Sequence, residues 1–233
     1  MLATTTDEMV TLFRQDVDDI LSDDGTDTDR LWKTAECYRY LTMACDALAR
    51  RTKELHSIVT VDVVAGTALY RLPPKVLYVR EAFLLTSEQE LTVASANRGG
   101  AARSEDYGNR IGNGDWRFAG NGTPTTFMLD YNAKQLRLVP TPVIDETLEL
   151  QCSVTVATPM QEGMLLPFTE VEAQRLLLAY MKGQAYRKQD AETQDLQRAK
   201  DFELEYERGV AARDPEIFNR RNGVQTVAMD GWY

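Results

Sequence analysis

The stretch Leu48-Ala49-Arg50-Arg51-Thr52-Lys53-Glu54-Leu55-His56-Ser57-Ile58-Val59-Thr60-Val61-Asp62-Val63-Val64 decides the fold class. Up to Leu55 the apolar residues recur every three or four positions, the period of a helix with one buried face. From Ser57 onward the chain is β-branched, which suits a pleated strand and costs a helix side-chain freedom. The period changes back at residue 168. The chain therefore reads as helices, a β insert, and helices again.

Toward the N-terminus, the helix that ends near Leu55 starts near Asp29, with Leu31, Trp32, Ala35, Tyr38, Leu41, Cys45, Leu48 and Ala49 as its apolar set. At 1.5 Å per residue such a helix spans roughly 40 Å. Before it, Ser22-Asp23-Asp24-Gly25-Thr26-Asp27-Thr28 reads as a break, and Asp27 or Thr28 is placed to cap this long helix. A first helix carries Met9, Leu12, Phe13, Val17, Ile20 and Leu21 at helical spacing, opened by a Thr5–Glu8 capping box.

Toward the C-terminus, strands are expected at Ile58–Val64, Leu69–Leu72, Val76–Leu85, Leu91–Val93, Thr126–Leu129, Gln135–Val139 and Leu148–Val156. Short strands with regular turn signals point to a small sandwich or barrel. A glycine-rich stretch at 97–124 interrupts them, and loops of that length often carry interactions. After 168, Thr169 and Glu172 suggest a second capping box ahead of Val171, Leu177, Leu178 and Met181. A fourth helix carries Leu196, Ala199, Phe202, Tyr206 and Val210, with Asp190 as its expected cap.

The fold class is thus α+β. An antiparallel helical bundle is built from residues 1–56 and 168–213, a small β-sandwich or barrel is inserted at 57–167, and an extended C-terminal arm occupies 214–233. Pro215 interrupts helix, and Gly223 and Gly231 loosen the backbone of the arm. Its apolar residues Ile217, Phe218, Val224, Val227, Met229, Trp232 and Tyr233 are the anchors of a segment that orders on a partner.

Composition narrows the function. The chain has 233 residues and a formal net charge of −10. Nine of its acidic residues fall in the first 30 positions against Arg14 and Arg30, and the rest is nearly balanced. That balance argues against a protein that grips nucleic acid through its phosphates. No apolar run approaches the roughly 20 residues of a spanning helix, so no membrane role is expected. The first residues lack the basic and apolar regions of a secretion signal. Cys37, Cys45 and Cys152 are odd in number and widely spaced, and His56 is alone, so neither a disulfide scaffold nor a metal or cofactor site is expected.

Catalytic motifs are likewise not found. Asp18/Asp19 and Asp23/Asp24 read as solvated helix-end carboxylates rather than an acid–base pair across a cleft. Asp23–Asp29 has the composition of a calcium loop, but with Gly25 at position six the first ligand position falls on Ile20. The glycines at 112–114 and 120–122 lack a phosphate-loop frame, and no serine sits in a nucleophile elbow. Trp116, with Arg110, Arg117 and Phe118, reads as a tail or subunit contact loop, or alternatively as a sugar-stacking platform.

The order of several short stretches goes further. These are Leu31-Trp32-Lys33-Thr34-Ala35-Glu36-Cys37-Tyr38-Arg39-Tyr40-Leu41, Gly66-Thr67-Ala68-Leu69-Tyr70-Arg71-Leu72-Pro73, Gly122-Thr123-Pro124-Thr125-Thr126-Phe127 with Asp130, and Leu136-Arg137-Leu138-Val139-Pro140-Thr141-Pro142. With the terminal helix pair, they give residues 29–213 an arrangement that resembles the head-to-tail connector (adaptor, or tail tubular) proteins of short-tailed bacteriophages. The resemblance implies a structural virion protein and no enzyme. It implies a ring, typically of twelve copies, assembled in the host cytoplasm between the portal protein and the tail nozzle, spikes or fibres. Double-stranded DNA would pass through its channel without specific binding, and residues 214–233 would dock on the portal. An acidic lumen would repel the passing DNA. The competing reading is a carbohydrate-binding or fibre-attachment β-sandwich module using Trp116.

Overall fold

The computed structural model describes residues 3–19, 30–95, 120–130, 134–156, 158–188 and 194–222, with backbone alone at 94, 95 and 214–222. The chain divides into two compact units, Met1–Glu54 with Val156–Tyr233, and Leu55–Thr155. The fold is α+β, with helices in the first unit and a barrel-like sheet in the second.

Four helices are present among the described residues: α1 (Thr6–Asp16), α2 (Thr34–Thr52), α3 (Val171–Tyr186) and α4 (Leu196–Asn222). The Thr5–Glu8 capping box opens α1 as expected, with Glu8 N donating to Thr5 Oγ1 at 3.3 Å and Thr5 N to Glu8 Oε2 at 3.2 Å. The helix stops at Asp16, short of Ile20 and Leu21, because Asp18 turns the chain through φ 56°. Asp19 is then buried rather than solvated. Its carboxylate accepts from Arg14 at 2.8 Å and from Leu31 N at 3.1 Å. A buried pair of this kind must be kept whole, since either charge alone would lack its partner.

The second helix starts at Thr34, later than the sequence suggests. Lys33 is its N-cap, and the Glu36 carboxylate accepts from Lys33 N at 3.0 Å. The cap is therefore neither Asp27 nor Thr28, both of which lie outside the described residues. Trp32 lies in the turn ahead of α2, where it organises the unit. Its ring meets Phe13 of α1 at 6.0 Å and Tyr186 of α3 at 5.7 Å, both edge-on. Tyr186 in turn stacks on Phe202 of α4 at 5.9 Å. The indole Nε1 donates to Ala185 O at 3.2 Å, so the buried polar atom is satisfied.

Two further caps differ from expectation. The third helix is capped at Glu170 without a side-chain bond, so Thr169 and Glu172 form no capping box. The fourth is capped by Asp195, whose Oδ1 accepts from Gln197 N and Arg198 N at 3.1 and 3.0 Å. Asp190, the expected cap, lies outside the described residues. Pro215 does not end α4, which continues to Asn222, so 214–222 is helical and not an extended arm. Residues 158–168 join the helical unit and not the sheet. Thr6 N donates to Met164 O at 2.9 Å, Leu166 N to Thr4 O at 3.0 Å, and Met160 N to Thr42 Oγ1 at 2.8 Å.

The second unit is a nearly closed seven-stranded sheet in the order β1-β7-β3-β4-β5-β6-β2. Its strands are β1 (His56–Val63), β2 (Leu69–Arg71), β3 (Val76–Leu84), β4 (Gln89–Ser95), β5 (Thr126–Asp130), β6 (Gln135–Val139) and β7 (Glu146–Val154). Val59, Val79, Leu84, Phe127, Leu136, Leu138, Leu148 and Leu150 fill the interior. Along β1 the inward Val59 and Val63 alternate with outward neighbours, the two faces of a pleated strand. All pairings are antiparallel except β4 with β5. A parallel neighbour needs a crossover that returns the chain to its starting end.

Candidate interaction surfaces

Three of the stretches that carried the resemblance meet at one part of the β unit. Gly66 turns the chain at φ 79°, a conformation that a side chain would strain, and its N donates to Pro142 O at 2.8 Å. Gly122 N donates to Thr141 O at 2.9 Å, and Leu138 N to Ala68 O at 2.9 Å. The buried Tyr70 hydroxyl donates to Thr67 O at 2.5 Å and accepts from Val64 N at 3.2 Å, locking the turn between β1 and β2. Ala65 N is held by Asp145 Oδ1 at 2.7 Å. Val64, Val143 and Ile144 stand about half exposed on these two joined loops. A rigid loop pair presenting apolar side chains has the character of a contact surface.

In the helical unit, the corresponding feature is a groove between α3 and α4 of about 440 Å³, bordered by Leu176, Gly209, Ala212 and Arg213. Gly209 allows the close approach. A Cβ there would lie 2.3 Å from Leu176 Cδ2. Arg213 is buried and clamps the groove's end. Its Nε and Nη2 donate to Glu54 at 3.0 to 3.3 Å, and Nη2 also donates to Glu170. Burial works against the guanidinium charge, but the two carboxylates outweigh it and hold the pKa above its ordinary value. Glu170 also stands at the N-terminus of α3, where the helix dipole favours a negative charge. The clamp ties α4 to the start of α3 and to the residues just after α2, immediately before α4 runs on toward Asn222.

Of the arm residues named from sequence, Ile217 and Phe218 lie on the backbone of α4. Val224, Val227, Met229, Trp232 and Tyr233 lie outside the described residues, as do Arg110, Trp116, Arg117 and Phe118. The acidic run Asp23–Asp29 lies there too. Among the described residues no group of three or more His, Cys, Asp or Glu is placed to hold a metal. Cys37, Cys45 and Cys152 are buried, and none of the three is in a disulfide. Burial pushes the Cys45 thiol up to about 12 and Cys152 to about 11, far from the thiolate form that reacts or ligates. His56 opens β1 exposed, with its Nε2 3.3 Å from an Arg80 Nη1. No helix among the described residues is long and apolar enough to cross a membrane.

Sequence reasoning missed Arg213, Gly209 and Asp145. An isolated arginine or glycine in a polar helix carries no local signal, because its partners lie far along the chain.

Residues 4–228 match the family described as SU10 adaptor protein. No curated protein matches the chain.

Proposed function

Because the chain belongs to the SU10 adaptor protein family of phage head–tail adaptors, we propose that it forms a ring between the portal and the tail of a virion and continues the DNA channel there. The observation that carries this reading is the family match across residues 4–228. The portal is the partner on one side, and the tail nozzle, fibres or spikes are the partners on the other. Twelve copies form the ring, with Asp and Glu side chains toward the lumen so that DNA slides past without being held.

In this reading α4 beyond Arg213 and the residues after it are the portal-docking element. Ile217, Phe218, Val224, Val227, Met229, Trp232 and Tyr233 supply its apolar anchors. The helical start of that element, through Asn222, supports a docking device that is partly preformed and so loses less entropy on binding. Arg110, Trp116, Arg117 and Phe118 serve a contact to the tail or to the neighbouring subunit.

Deletion of 214–233 tests the assignment. Tyr206, Val210 and the Arg213 clamp all precede the cut, so the truncated chain keeps its helical unit. It is expected to show a cooperative melt close to that of the full chain and no co-sedimentation with portal. Undiminished portal binding by a folded truncation would overturn the docking role.

A further inference from the structure

The outer surface of the β unit carries two patches of opposite charge. Because Val79, Ala82, Leu84, Leu91, Leu148 and Leu150 point into the core, the residues between them point out. Glu81, Phe83, Glu90 and Glu149 thus share one depression of about 310 Å³. Register sets Glu90 of β4 and Glu149 of β7 on either side of Phe83. Phe83 is 37% exposed, and Ile58 of β1, next to Gln151 of β7, is 61% exposed. Among the described residues, the side chains of Glu81, Glu90 and Glu149 make no hydrogen bond or ion pair. The one cation beside them on β3, Arg80, stands against His56.

The second patch lies on β2 and β6. Tyr70, Leu136 and Leu138 point inward, so Leu69, Arg71 and Arg137 point outward, with Leu69 directly across from Arg137. Leu69 is 49% exposed and Arg71 is exposed. Arg137 is half-buried and already has a partner, as has Asp130 of β5, which borders this patch across from Gln135, so Arg71 is the cation that the face exposes most fully. In the order β1-β7-β3-β4-β5-β6-β2 of a nearly closed sheet, β3 and the β6–β2 pair lie about half a circumference apart.

We propose that the Phe83-centred acidic face of one copy docks on the Leu69–Arg71–Arg137 face of the next. The proposal rests on the ring reading above and names the surfaces that would close the ring. Each patch joins an apolar centre to charge, and the charges are opposite. Pairing either patch with itself would set like charges together, which disfavours a two-fold dimer and favours head-to-tail contact. Head-to-tail contact needs its two faces nearly opposite on the subunit, because in a twelve-membered ring they depart from opposite by only about 30°. The strand order places the patches in that relation.

The test uses three full-length chains, namely the wild type, E81K/E90K/E149K and R71E/R137E, each with a matched thermal melt. Mass is followed by sedimentation against concentration, alone and with portal. The wild type is expected to assemble, each variant to assemble roughly tenfold or more weakly, and an equimolar mixture of the two variants to recover. Unimpaired rings from both folded variants would overturn this interface and leave the ring reading standing. Recovery failing in the mixture would likewise overturn it. A wild type that stays monomeric both alone and with portal would overturn the ring reading and this inference together.

Discussion

At the scale of single residues, the helical unit depends on a few side chains that several elements share. Trp32 is the clearest of them, since its ring touches α1 and α3 and its Nε1 satisfies Ala185 O. Trp32→Ala removes that packing and leaves a cavity, and is expected to cost about 3–5 kcal/mol. A denaturant titration checks this, with a lowered midpoint at unchanged slope as the expected result. Arg14 with Asp19, and Arg213 with Glu54 and Glu170, act differently from Trp32. They contribute little by Coulomb attraction after desolvation, but they fix which segments meet. Asp19 shows why an acidic stretch cannot be read by charge alone. It carries the same charge as Asp18, yet only Asp19 is buried, because the left-handed Asp18 turns the chain back toward Arg14.

At the scale of elements, the α3–α4 contact is set by small residues. Gly209 meets Leu176, and Gly183 lies 3.5 Å from Ala199 O when given a Cβ. Gly209→Leu is expected to wedge the helices apart and cost about 1–3 kcal/mol, read as a lowered melting temperature. The seven strands were legible because β-branching and turn residues are local signals, and the Thr5–Glu8 cap was legible for the same reason. The caps of α3 and α4 were not. Arg213 claims the carboxylate of Glu170 from 43 residues away, and Asp195 is fixed as a cap because its N–H is anchored to Tyr186 O at 3.1 Å. Pro215 misled for a related reason. A proline forfeits one backbone hydrogen bond, but the packing of Tyr206 and Val210 has already fixed the helix that it continues. The parallel β4–β5 pair was equally hidden, since nothing in the sequence of either strand marks the direction of its partner.

At the scale of the whole molecule, the charge of −10 and the order of the motifs are complementary observations. The first disfavours a nucleic-acid grip, and the second placed the chain among phage adaptors, where the family match also places it. The hydrogen bonds that join Gly66 to Pro142 and Gly122 to Thr141 explain why those motifs occur together. They are one structural feature split along the sequence. The C-terminal segment was only partly legible, because Pro215 hid the helix that runs on to Asn222. Assembly on the portal is read out by light scattering of the protein alone and mixed with its portal. The portal is expected to gain the mass of a ring of 26.3 kDa chains. A portal whose mass is unchanged at saturating protein would contradict it.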